Sequence, residues 1–406
     1  MIDRVKLTIS GRLRQARNVA GRLLLVVGVL LLARVLWHFV QRDDAQAIVD
    51  GRAEGDLVAR RDFLAAHVED ASSSLAGKDD QFAGEWSLVT LSMTALGAAN
   101  VGFEYSSTVP ADLELVDRCA EIARRPSVRA FDAKRWGDDP IDAMNGPNSH
   151  LGYLGHLALI LEANRLLGGR DAELAALEPK VVAALADKLR AAPAALLPTY
   201  PNETYVADNA VALAAIALAD VGRGAHASGN ASGDARHAGP HAALIESTLT
   251  TWRKTLIDAD TGVFVFGPGD RAKARASGAA LTAMMLGYVD EPLALDQGKA
   301  LALHFDTHVL GLFDALCENV GCSGAGDVDS GPLVFGASPS ATGFALALAK
   351  RSRDVVRLGD DLATAEWAGL GFSLGGRRRY VLAPLVGDAV VLAAMSARAW
   401  DVRYLK

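Results

Sequence analysis

The stretch Tyr200-Pro201-Asn202-Glu203-Thr204-Tyr205-Val206-Ala207-Asp208-Asn209-Ala210-Val211-Ala212 decides the reading of the chain, together with the run of Ala, Leu and Ile that follows it to Ala219. Pro201 and Asn202 punctuate a helix start, and Glu203 suits the positive end of the helix dipole. The rest is apolar on every side, and a helix of that kind is buried. The same signature recurs in Leu151–Leu161, Ala279–Leu286, Ala341–Ala349 and Val390–Met395. Between these lie segments with charge on one face, such as Glu173, Lys180, Asp187, Lys188 and Arg190. The periodicity predicts helices near 56–75, 81–99, 112–125, 148–168, 171–191, 203–220, 239–257, 274–288, 291–316, 339–353, 357–370 and 382–400, with strand signals almost absent. Alternating buried and exposed helices is what two concentric rings require. The expectation is an all-α chain: an (α/α)6 toroid of six helical hairpins, preceded by one N-terminal transmembrane helix. An open α-solenoid is the rival, and the lack of a regular repeat weighs against it.

Connections into the buried helices are long and rich in Gly, Pro and aromatics: 126–147, 192–202, 258–273, 317–338 and 371–381. Most return connections are short, as at Val289-Asp290. The exception, 221–238, reads as a low-complexity insertion. Long loops gathered at one end build a cup, and loops carry function. The site is therefore expected at the N-terminal ends of the inner helices.

The net charge of −7 argues against nucleic acid as a partner, because phosphate binding needs a clustered basic surface. The basic residues that do cluster (Arg4, Lys6, Arg12, Arg14, Arg17, Arg22) precede an apolar run from Leu23 to Val40, interrupted by Arg34 and His38. That length just crosses a bilayer core, and Arg34 near one end can snorkel beside Trp37. With Asp43 and Asp44 beyond it, the positive-inside rule keeps 1–22 in the cytoplasm, makes 23–40 the anchor and places the rest outside the inner membrane. In this division 41–80 is a linker with the first outer helix and 81–406 the toroid domain. The rival is a signal peptide cleaved at Ala45-Gln46-Ala47. In an oxidising compartment Cys317 and Cys322 are close enough in sequence for a local disulfide, while Cys119 falls on an amphipathic helix as a core residue.

Asp208 and Asn209 stand about one turn into an otherwise apolar helix, where a carboxylate needs a partner or a cavity. Two readings stand: Asp208 lines the cup as acid, base or ligand, or both residues tie down neighbouring loops. The stretch Gly146-Pro147-Asn148-Ser149-His150-Leu151-Gly152-Tyr153-Leu154-Gly155-His156-Leu157 opens another inner helix and puts Ser149, Tyr153 and His156 on one face. His156 is a candidate acid–base residue or a hydrogen-bonded core histidine. A third stretch, Gly326 to Gly336, carries Asp329 into an inner helix, with Ser340 as its expected cap. Asp329 with Asp208 or Glu203 would make an acid–base carboxyl pair. An Asx-turn or a fragment of a calcium loop explains Asp327 and Asp329 otherwise.

The first two stretches resemble those of the linalool dehydratase/isomerase family, an (α/α)6 barrel. Tyr153-Leu154-Gly155-His156-Leu157 matches that family's Tyr-x-Gly-His-Leu helix start. Pro201, Tyr205, Val206 and Asn209 to Ala212 follow its second motif. Thr199 and Asp208 occupy the positions of the family's two catalytic cysteines. The resemblance implies the fold and the site location, with His156 and Tyr205 in the family's histidine and aromatic roles.

The expected catalytic set is Asp208, His156, Tyr205 and Asp329, with Glu203, Asn209, Tyr153, His150, Glu85, Trp86 and Phe335 available to bind substrate. His304 and His308, spaced i, i+4 on an outer helix, lack a third metal ligand, so no metal is expected. No cofactor is expected either, since no Walker loop, dinucleotide fingerprint or G-x-S-x-G elbow occurs. These features point to a membrane-anchored acid–base enzyme of lyase/isomerase or hydrolase type acting on a small molecule or glycan. Glycan processing by a glycoside hydrolase or polysaccharide lyase is one alternative. The other is a non-catalytic envelope scaffold.

Overall fold

The computed structural model describes residues 2–73, 81–223, 239–311 and 313–400. The chain is predominantly helical. In order, the helices are α1 (Ile2–Val49), α2 (Glu54–His67), α3 (Asp70–Ser73), α4 (Gln81–Glu104), α5 (Val109–Ala123), α6 (Pro126–Trp136), α7 (Leu151–Leu166), α8 (Ala172–Ala191), α9 (Val206–Asp220), α10 (Ala242–Thr255), α11 (Ala276–Leu286) and α12 (Glu291–Phe305). A hairpin of β1 (Asp306–Val309) and β2 (Phe313–Leu316) leads to α13 (Pro339–Arg351) and α14 (Val355–Gly369). A second hairpin, β3 (Gly371–Leu374) and β4 (Arg377–Tyr380), precedes α15 (Leu385–Met395). Both hairpins are antiparallel, in register Asp306↔Leu316 and Gly371↔Tyr380.

The helices that are apolar all round pack in series: α4 on α7, α7 on α9, α9 on α11, α11 on α13, α13 on α15, and α15 on α4. Their side chains form one continuous core that includes Leu96, Leu154, Ile216, Met284, Leu346 and Leu392. Amphipathic helices sit on the flanks, with α5 against α4 and α7, α8 against α7 and α9, and α12 against α11 and α13. Small residues allow close approach along the seams: a Cβ added at Gly97 would meet Leu392 at 2.8 Å, and one at Gly155 would meet Ala212 at 3.5 Å.

Several elements differ from the sequence reading. The helix expected over 291–316 stops at Phe305, where the chain turns into β1, so His308 lies on a strand and shares no helical face with His304. The loop expected over 126–147 contains α6, started by Pro126 and ended by Gly137 in the left-handed region (φ 91°). The loop expected over 371–381 contains the second hairpin, turned by Gly375 and Gly376 with positive φ. The presumed linker after residue 40 is helical through Val49, and Ala45 and Ile48 are buried in the core cluster. Residues 224–238 of the insertion lie outside the described residues, as do the side chains of Arg34, Trp37 and His38.

Among the described residues, Phe82–Glu104 is the helix long and apolar enough to cross a membrane, and 89% of that stretch is buried inside the protein. It is a core helix. The N-terminal apolar stretch Asn18–Ala33 is shorter, and its side chains stand in the open: Leu23, Leu24 and Leu25 are 66%, 72% and 68% exposed.

Candidate functional site

The segment before α9 forms a tight turn. The Thr199 and Tyr200 N–H groups donate to the Glu203 carbonyl at 2.8 and 3.1 Å, and the Glu203 N–H donates to the Tyr200 carbonyl at 2.9 Å. Asn202 takes φ 65°, a conformation asparagine tolerates. The helix therefore begins at Val206, three residues later than the sequence suggested, and Glu203 sits in the turn before it. Asn209, expected to bind substrate, is buried and committed to the backbone. Its amide donates to the carbonyls of Leu197 at 2.9 Å and Tyr205 at 2.8 Å and accepts from the Leu197 N–H at 2.8 Å. That clamp fixes the loop over the start of α9.

Asp208 is half-buried and accepts a hydrogen bond from the Thr199 hydroxyl at 2.8 Å. Burial pushes its carboxyl up to about 6, against the lowering effect of that bond. Glu85, in the first turns of α4, is half-buried too. Burial, followed by the charges of Asp208 and Asp329, raises it to about 8. Asp329 lies exposed on the connection into α13, with enough protein around it to disfavour its charged form. That crowding, then the charges of Asp327 and Asp208, lifts it to about 7. Three carboxyls from widely separated segments thus lie within electrostatic reach of one another.

Tyr200 projects among them. It is 1% exposed, and burial, the nearby Glu85 and Asp208 charges and a hydrogen bond to Glu85 hold its proton on. That bond turns its hydroxyl toward the acidic groups. Glu203 behaves differently. Burial favours its neutral form, but hydrogen bonds from Tyr205 (2.8 Å) and Arg135 (2.5 Å) outweigh that and hold it below the ordinary range. Tyr205 packs at 5.0 Å from the Phe266 ring, and the Arg271 guanidinium lies 5.2 Å from its own ring centre.

On the α13 side, Arg275 bonds Glu318 at 3.0 Å and also pairs with Asp327. Glu318 is buried and receives the Ser277 hydroxyl at 2.8 Å. Asp327 accepts from the Ser330 N–H at 3.0 Å, an Asx-type loop closure. The cap of α13 is Ser338, which accepts from the Ala341 N–H, rather than the expected Ser340. Cys317 and Cys322 are joined by a disulfide in this connection, and Cys119 is a buried free thiol.

Other candidates point into packing. His156 is 4% exposed, its Nδ1 is 2.7 Å from the Ser92 hydroxyl, and burial lowers it to about 4. Burial is the cause of that shift, so the ring is neutral at neutral pH beside Ser92. The Tyr153 hydroxyl donates to the Ala123 carbonyl at 2.9 Å in the core. His150, in a left-handed conformation before α7, is fully buried between Asp132 (2.6 Å) and Asp138 (3.2 Å). Both side chains are buried and held by protein partners. Trp86 is half-buried beside Glu85, and Phe335 is 70% exposed on the loop into α13. Two clefts lie elsewhere, one of about 400 Å³ bordered by Arg124, Arg129, Glu173 and Lys180, the other of about 300 Å³ between α1, α2 and α14. The described residues contain no His, Cys, Asp and Glu grouping suited to a metal ion.

Sequence reasoning passed over Tyr200, Arg135, Arg275 and Glu318. Tyr200 carried a signal, as an aromatic in the loop entering an inner helix. The others depend on contacts between distant segments. No family model and no curated protein matches the chain.

Proposed function

We propose that this chain is a membrane-anchored (α/α)6 toroid with its body outside the cytoplasm, and that Glu85, Asp208 and Asp329 perform acid–base chemistry on a small molecule at the ring's mouth. Support for the ring comes from the order of helix neighbours, which returns from α15 to α4. Support for the anchor comes from exposed apolar side chains among those described on α1, such as Leu24, Leu32 and Leu36. Cleavage after Ala47 would strip buried Ala45 out of the core, which favours a retained anchor over a signal peptide.

The single observation that carries the chemistry is the spread of the coupled carboxyls, near 8, 6 and 7 for Glu85, Asp208 and Asp329. At neutral pH Glu85 holds its proton while Asp208 has largely lost one, the division of labour that acid–base catalysis needs. Glu85 protonates a leaving hydroxyl or glycosidic oxygen as its C–O bond breaks. Asp208 takes a proton from the neighbouring carbon, giving elimination, or from a water, giving hydrolysis. The Tyr200 hydroxyl hydrogen-bonds Glu85 and orients its carboxyl. The resemblance to the linalool dehydratase/isomerase family fits this reading in one respect. The positions of that family's cysteines hold Thr199 and Asp208 here, and these two side chains bond each other.

The test is turnover by the full chain in detergent micelles against terpenoid alcohols, uronates and oligosaccharides, for the natural protein, Glu85→Gln and Asp208→Asn. The expected result is conversion of one class that both substitutions abolish while the fold survives. Conversion unaffected by both removes the carboxyls from the mechanism.

A further inference from the structure

Outside α1, the large apolar side chains exposed among the described residues are distributed unevenly. Leu310, Val334 and Phe335 lie on the connection from α12 to α13, and Leu370, Leu374 and Leu382 on that from α14 to α15, at 52–72% exposure. Others on the same two connections, and Phe82 in the first turn of α4, extend the set. The exceptions are Leu303 on the flank of α12 and Val356 at the opposite end of α14. The connections into α7, α9 and α11 carry none. The apolar surface therefore borders the adjacent helices α13, α15 and α4, at the end where Glu85 and Asp329 lie.

α1 emerges in this same sector. It runs antiparallel to α14: the Val49 carbonyl and Asp50 meet Arg353, Arg42 meets Asp360 at 3.8 Å, and Gln41 and Asp44 share a cleft with Glu366. Residues before Gln41 thus continue past the C-terminal end of α14, from which the chain turns into α15. At 1.5 Å per residue, the apolar stretch from Leu23 to Val40 projects roughly 27 Å beyond that end. Arg377 is exposed on the same connection, and the exposed Arg42 lies at the base of the projecting helix.

We infer that this sector of the mouth lies on the bilayer surface, with the side chains around Leu310, Phe335 and Leu382 dipped into the interface and Arg377 against anionic headgroups. The inference rests on the anchor reading above. A helix crossing the bilayer and leaving it at Val40 brings these loops to the headgroup level. Apolar side chains flanked by arginine are stable there and poorly suited to water. The acidic site then opens toward the membrane, so its ligand is reached from the interface rather than from bulk solvent.

The experiment uses the full chain reconstituted in vesicles of phosphatidylethanolamine and phosphatidylglycerol. Environment-sensitive fluorophores are placed on single introduced cysteines at Phe335→Cys, Leu310→Cys, Val356→Cys and Leu25→Cys. The native thiols do not interfere, since Cys119 is buried and Cys317 and Cys322 are bonded. Lipids carrying a headgroup-level or acyl-chain quencher are then added. The expected result is loss of most emission at Phe335 and Leu310 with the headgroup quencher, little loss at Val356, and loss at Leu25 with the acyl-chain quencher. Quenching at Leu25 with none at either mouth position overturns the docking and leaves the anchor standing. No quenching at Leu25 overturns the anchor, and the docking with it. Equal quenching at Val356 and Phe335 overturns the orientation, and mouth probes silent in lipid alone would mean that the apolar loops meet a protein instead.

Discussion

Replacing Glu85 by glutamine should change how the stability of the protein depends on pH. The native carboxyl keeps its proton up to about pH 8, whereas an unfolded glutamate releases it near 4.5. Between those values the native state binds more protons than the unfolded chain, so stability falls as pH rises, by about 1.4 kcal/mol per unit for a single isolated group. The contribution is whole below pH 4.5 and gone above about 8. By neutrality the loss is roughly 3 kcal/mol, and partial exposure and coupling to Asp208 and Asp329 reduce it to about 2. Glutamine matches the protonated form in size and carries no charge at any pH. The melting temperature of Glu85→Gln, relative to the natural protein, should therefore rise by roughly 2–3 °C between about pH 5 and pH 8. Thermal unfolding of both full chains in mild detergent, followed by far-UV circular dichroism, reads this difference directly. Curves that stay parallel across the range would refute the reasoning, because Glu85 would then titrate like a free glutamate.

Asn209→Ala removes three hydrogen bonds to buried backbone and should cost about 3 kcal/mol, seen as a lowered unfolding midpoint in denaturant. Tyr200→Phe deletes a buried hydrogen bond to Glu85 and should cost about 1 kcal/mol, seen as a lowered unfolding midpoint in denaturant, whereas an unchanged midpoint would mean the hydroxyl is unpaired. His156, held near 4 by burial, should remain neutral by nitrogen NMR down to about pH 5. Its native state binds fewer protons than the unfolded chain below the ordinary histidine value of 6.5, so its effect is to lower stability as pH falls from there toward 4.

The buried helices were legible because their composition leaves no polar face: Ala210–Ala219 and Val390–Met395 could only be surrounded by protein. The same property hid the roles of Tyr153 and His156, since a helix apolar all round offers no stripe to show which side meets a cavity. The first hairpin was missed because Leu301-Ala302-Leu303-His304-Phe305 runs into a further apolar stretch, and strands of four residues give little periodicity. The second was within reach. Phe372-Ser373-Leu374-Gly375-Gly376-Arg377 alternates and then turns on two glycines, a recognisable hairpin signal. Asp208, Asp329 and Glu85 stood out as carboxyls at the entrances to apolar helices. What joins them is long-range: which charge faces which depends on how α4, α9 and the connection into α13 come together. Arg135 reaching Glu203 and Arg275 bridging Glu318 and Asp327 are invisible for the same reason.

That three carboxyls from distant segments share one electrostatic neighbourhood is tested most directly by infrared titration of the full chain, with Glu85→Gln identifying the glutamic acid band. The protonated Glu85 carbonyl stretch should persist at neutral pH in the natural protein, and its midpoint should fall in both Asp208→Asn and Asp329→Asn as a like charge is removed. A Glu85 midpoint at the ordinary glutamate value, or one that neither aspartate substitution moves, would contradict the shared site.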